Sequence, residues 1–169
     1  MKPMSVKELC VIAMMACIEA VVFSSFSHIL YLEGITLTVL LFAVVFKRRT
    51  AFLAAVVYGL VNMIVSGVTV WSMIYFFIYP VYTLIVCKLK PLLKENVLLW
   101  SLCCGTLSFF TGQLLQIPWM LFSKRLTMIY VLTGLKTSLI QGCLSAVFCF
   151  LCFRMLSAVL KRIERRLNV

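Results

Sequence analysis

Phe46-Lys47-Arg48-Arg49-Thr50 breaks an apolar chain with three consecutive cations, and that break decides the fold. Ile35 to Val45 before it carries no charge, and neither does Ala51 to Ser66 after it. Apolar runs of this kind are candidate membrane spans, and Lys and Arg beside them are retained on the cytoplasmic side during insertion. The same punctuation recurs in both directions. Lys2 and Lys7 precede the first apolar run, Lys88, Lys90 and Lys94 follow a later one, and Arg154, Lys161, Arg162, Arg165 and Arg166 crowd the C-terminal stretch. Of the 16 Lys and Arg, only Lys124, Arg125 and Lys136 fall outside these groups. Every second connection is therefore expected on the cytoplasmic side, which makes the span count even and both termini cytoplasmic.

Composition agrees with this reading. A mean hydropathy of +1.12 with 12% charged residues lies well away from soluble domains, which carry about 25% charge. At 169 residues the chain is read as a single integral membrane domain, 1–169. The net charge of +11 sits at membrane boundaries, where anionic headgroups and insertion bias account for it. No module interleaving aromatic and basic residues frames a nucleic-acid partner. The first apolar run is too long for a signal-peptide core and lacks a small-x-small cleavage site.

Six transmembrane helices are expected, over about 8–29, 35–46, 50–66, 70–88, 97–122 and 128–153, with a cytoplasmic helical tail at 154–169. The second is shorter than the about 20 residues a perpendicular span needs, so it must be short, be surrounded by neighbouring helices, or borrow length from residues before Ile35. The eight Cys lie within spans or, for Cys87, at a span end, where a thiol serves as a small apolar side chain. Cys149-x-x-Cys152 has no second pair beside it, and His28 is the only histidine, so neither a redox centre nor a metal site is expected.

Polar groups inside the spans gather at one depth. Alternating topology puts Asn62, Gln113, Gln116, Trp119, Lys136 and Gln141 in the extracytoplasmic halves of helices three, five and six, with His28 and Glu33 flanking the first outer turn. Trp71, Tyr75, Tyr79 and Tyr82 descend helix four as one stripe. An intramembrane Lys, Gln or Asn is costly unless it faces the bundle interior or a wet cavity, and aromatic walls with a few polar groups are how small-molecule sites are built. The competing reading makes the Trp and Tyr residues an interfacial belt and the amides interhelical glue. Glu19, midway along helix one, has three fates open to it: protonation, an ion pair with Lys136, or a protein partner. Pro80 and Pro118 are expected to bend helices four and five. Helix one also carries small residues four apart, Ala16 with Ala20 and Ala13 with Cys17, a spacing that lets another helix approach closely in lipid.

Several stretches carry a family likeness: Ala13-Met-Met-Ala-Cys-Ile-Glu-Ala20, Leu32-Glu-Gly34, Val70-Trp-Ser-Met-Ile-Tyr75, Tyr79-Pro80, Gly112-Gln-Leu-Leu-Gln-Ile-Pro118 and Gly134-Leu-Lys-Thr-Ser-Leu-Ile-Gln-Gly142. With these the chain resembles the substrate-binding S components of energy-coupling factor (ECF) vitamin transporters, closest to the cobalamin-type or unassigned ones. The resemblance implies an all-α bundle of six spans that captures a vitamin or related micronutrient in an outward-facing pocket. It implies docking on a transmembrane scaffold subunit with two ATPase subunits, which use the ATP; no cofactor is expected in this chain. In that family the pocket lies in the outer half of helices four to six and the outer loops, which coincides with the convergence above; the expected substrate-binding residues are Glu33, Asn62, Trp71, Tyr75, Tyr79, Gln113, Gln116, Trp119, Lys136 and Gln141. Its scaffold-contact motif maps onto Ala16 and Ala20, with Ala13 and Cys17 as the alternative register. No Asp, no Walker A loop and no nucleophile motif is present, so catalysis is not expected. The rival from another class is a structural membrane protein resembling the rod-shape morphogenesis subunit MreD. It needs no polar hollow, which makes Lys136, Gln113 and Gln116 the discriminating residues.

Overall fold

A computed structural model describes residues 4–27, 29, 31–94, 96–121 and 123–167. His28, read from the sequence as flanking the first turn, lies outside them. The described residues are helical with no strand: α1 (Val6–Phe26), α2 (Gly34–Val45), α3 (Arg48–Ser66), α4 (Val70–Leu93), α5 (Val97–Leu114), a short 3-10 helix (Ile117–Leu121) and α6 (Lys124–Leu167). Five segments are long and apolar enough to cross a membrane, and α2 is the shorter sixth.

Local chemistry sets the boundaries. Ser5 caps α1 by accepting from the Glu8 amide at 3.1 Å, and Asn96 caps α5 through the Leu98 and Leu99 amides, each satisfying donors that have no partner within the helix. Thr69 and Ser72 form a reciprocal capping box on α4. Pro80 and Pro91 both lie inside α4, which continues through them. Pro118 has a different effect from the expected bend. α5 stops at Leu114 and the chain resumes as the 3-10 helix that contains the proline, whose nitrogen has no hydrogen to donate to the Leu114 carbonyl. α6 is longer than its expected span and unbroken. At 44 residues and 1.5 Å per residue it reaches about 66 Å, roughly twice a hydrocarbon core.

α2 is enclosed by its neighbours. Ten of its 12 residues are buried, including Leu40 and Ala43 with no exposed surface. The outer faces of the long helices stay apolar: Ile64 is 82% exposed, Val65 74% and Leu151 71%. Continuous apolar exposure on this scale marks a surface made for a non-aqueous neighbour. α5 and α6 cross with their backbones almost touching. A Cβ on Gly105 would lie 2.7 Å from the Gly142 carbonyl oxygen, and one on Gly142 would lie 2.9 Å from that of Gly105. Ser101 Oγ reinforces the crossing by donating to the Ala146 carbonyl at 2.6 Å, the small-residue packing that helices use in lipid.

The connections sort to two ends. At one, the starts of α1 and α3, the end of α2 and the tail of α6 share a cluster around Ile12, Phe46, Ala51 and Leu167, and Thr50 reaches Glu8 at 3.4 Å. This is the basic end. At the other, Phe26 packs on Gly34 beside Glu33. Glu19 is buried between the ends, with no donor to either carboxyl oxygen among the described residues. It forms no pair with Lys136, which is exposed on α6.

Candidate functional site

Glu33, the N-cap residue of α2, is the centre of the Glu33 end. No side-chain cap bond ties its carboxylate to α2; donors from three other helices hold it instead. Tyr79 on α4 donates its hydroxyl to Oε1 at 3.0 Å. Ser108 on α5 donates to Oε2 at 2.7 Å, and Gln141 on α6 donates Nε2 to the same oxygen at 2.7 Å. Ser108 has a single hydroxyl proton, which goes to the carboxylate, so Ser145, 2.9 Å away, is the donor to Ser108. Gln141 Nε2 also reaches the Ser108 carbonyl at 3.3 Å. One carboxylate thus fastens four helices, and a carboxylate with two oxygens has room for one further donor.

A cavity of about 270 Å³ opens beside this network, lined by Glu33, Gln141, Tyr75, Thr111, Phe23, Ser27, Ile29, Tyr31 and Leu32 among others. Tyr75 stacks on Tyr79 with ring planes 9° apart and centroids at 5.6 Å, and Phe23 meets Tyr75 edge-on at 5.3 Å. Tyr79 itself has no exposed surface. The aromatic stripe on α4 therefore divides: Tyr75 lines the cavity, Tyr79 is buried behind it against Glu33, and Tyr82 donates to the Leu107 carbonyl at 2.9 Å. Tyr31, on the connection over the cavity, has φ 64°, a left-handed backbone that bulky residues seldom adopt.

The residues expected to converge separate into five places. Glu33, Tyr75, Tyr79 and Gln141 come together. Gln113 donates to Ser138 Oγ at 2.9 Å across the α5–α6 seam, where Gly112 lets the helices approach, and Gln116 lies against Gly134 of α6; both fasten helices together. Trp71, 47% exposed, meets Trp119 edge-on at 6.1 Å, and Trp119 stacks on Tyr130 at 4.9 Å, an aromatic cluster outside the Glu33 cavity. Asn62 accepts from Ser66 at 3.1 Å and lines a separate hollow between α1 and α3 with Tyr58 and Ala20. Lys136 is exposed and lines none of these hollows. Ser108, Thr111 and Ser145 escape the sequence reading. Their signal is a period: Ser101, Ser108 and Thr111 on α5, with Ser138, Gln141 and Ser145 on α6, recur at helical spacing along facing stripes.

The two helix-one registers also part. Ala16 is buried at 1% exposure and Ala20 is half-buried, whereas Ala13 and Cys17 are exposed. No cluster of three or more His, Cys, Asp or Glu residues suited to a metal occurs among the described residues. No family model, curated protein or solved structure matches the chain.

Proposed function

We propose that this chain is the substrate-capture subunit of an ECF-type importer, a multi-pass cell-membrane protein with cytoplasmic termini. The orientation follows from retention of basic residues on the cytoplasmic side, so the Glu33 cavity faces outward. One observation carries the reading: a half-buried carboxylate, held by donors from three helices, borders an aromatic-walled hollow in a bundle whose exterior is apolar. Intramembrane acids in such positions mark sites rather than scaffolding. Energy for release comes from partners, a scaffold subunit and two ATPase subunits. The exposed Ala13–Cys17 register is the one available to meet the scaffold, since Ala16 is spent on the core.

The cavity narrows the ligand class. Its volume of about 270 Å³ is just below the usual 300–1,000 Å³ of drug-sized sites, which suits a single small ring system and not a corrinoid. Among the described residues lining it, Glu33 is the only charged one. A carboxylate or phosphate ligand, which Lys136 would have suited, finds no counter-charge here. A neutral or cationic ring that donates hydrogen bonds to Glu33 and stacks on Tyr75 fits.

A structural subunit of the MreD type is the second reading. What favours it is the exposure of Lys136 and the interhelical placement of Gln113 and Gln116. Purification from native membranes followed by mass spectrometry of the released small molecules separates the two. Stoichiometric recovery of one small neutral or cationic ring compound supports capture. A preparation that carries none, and takes up none from a metabolite extract, supports the structural role.

A further inference from the structure

A second hollow, of about 340 Å³, opens at the basic end. Arg154, Ser157, Ala158 and Lys161 line it, and their i, i+3, i+4, i+7 spacing makes them one face of α6. Lys94 approaches from the end of α4. Its backbone is held at φ 47°, and its carbonyl accepts the Trp100 indole N–H at 2.9 Å. The hollow also touches Trp100 and Phe153, which are buried and stacked 17° from parallel with centroids 6.1 Å apart. Among the described residues no carboxylate lines it, and neither Lys94 nor Arg154 has an acidic partner; Glu95 lies outside that set.

Isolated cations at a helix end are explained by snorkelling and by the helix dipole. Neither effect gathers cations from two helices around one hollow with aromatic walls. Cations so gathered repel one another and gain from an anion placed between them. Arg offers a planar fork that matches phosphate oxygens in pairs, and Lys adds point charge. We infer that the hollow walled by Lys94 and Arg154 over Trp100 and Phe153 binds a phosphate-bearing anion. Apolar surface beside a cationic rim suits a phospholipid headgroup whose chains stay in the bilayer; free inorganic phosphate is the other source. The site is independent of the Glu33 cavity and of any role in capture.

The test uses the full chain in a neutral detergent, with native mass spectrometry reading the bound species. Dioctanoyl phosphatidylglycerol, dioctanoyl phosphatidylcholine and inorganic phosphate are titrated separately. The expected result is saturable binding of phosphatidylglycerol in preference to phosphatidylcholine, weakened about tenfold or more by Lys94→Gln with Arg154→Gln. Lys88→Gln with Lys90→Gln removes the same charge from the same end, outside the hollow, and is expected to leave binding unchanged. Inorganic phosphate binding as tightly as the lipid, with the same sensitivity to the cavity variant, would assign the site to the free anion. Equal binding by wild type and the cavity variant, an equal loss in the control variant, or no preference over phosphatidylcholine would overturn the proposal.

Discussion

The two ends of α2 hold cavities of similar size and opposite chemistry. Among the described lining residues, the hollow of about 270 Å³ near Gly34 has one acidic side chain and no cation; the hollow of about 340 Å³ near Val44 has three cations and no acid. Gly34 and Val44 lie on the same helix, about 15 Å apart along it. The two hollows differ in how charge is held. Glu33 is fixed by three donors from three helices, so its charge is part of the fold. Lys94 and Arg154 are exposed, and their charges can be removed with the fold intact. One end is built around its charge, whereas the other presents charge to something else.

Substitutions can break that contrast, and Glu33→Ala should have the largest effect. It leaves Tyr79, Ser108 and Gln141 without their acceptor, and unsatisfied donors cost about 1–3 kcal/mol each, so a loss of roughly 3 kcal/mol or more is expected in detergent denaturation. A loss below about 1 kcal/mol would show that the network contributes little. Glu19→Leu sharpens the point from the other side. Glu19 is buried in the core and has no donor among the described residues, so replacing it with a similar apolar volume should raise stability by about 1–3 kcal/mol, read as a higher melting temperature. A large fall would show that Glu19 has a partner of its own. Ser145→Ala removes only the outer donor to Ser108 and should cost about 1 kcal/mol while weakening ligand binding slightly. At the basic end, Lys94→Gln with Arg154→Gln should leave stability within about 0.5 kcal/mol, measured by the same melt.

Most of the architecture was legible because apolar runs and basic punctuation are one-dimensional signals. Phe46-Lys-Arg-Arg49 marks the α2–α3 turn, and α2 is as short as its sequence implies. The site was legible only in depth. Charge asymmetry says how far along a helix a residue sits, not which way it points. Lys136 and Gln141 are five residues apart, which turns them about 140° from one another around α6; Gln141 faces Glu33 while Lys136 faces out. Ser108 and Gln113 part on α5 for the same reason. Serines in an apolar helix look unremarkable singly, and only their shared spacing points to the seam where Ser108 and Ser145 meet.

The decisive measurement is equilibrium binding of the co-purified small molecule to Glu33→Gln and Lys136→Gln, side by side with the unsubstituted chain. Glu33→Gln keeps the shape but removes the charge, and affinity should fall about tenfold or more, with Lys136→Gln unchanged. Full affinity in Glu33→Gln together with a loss in Lys136→Gln would contradict the account and move the site to the exposed face of α6.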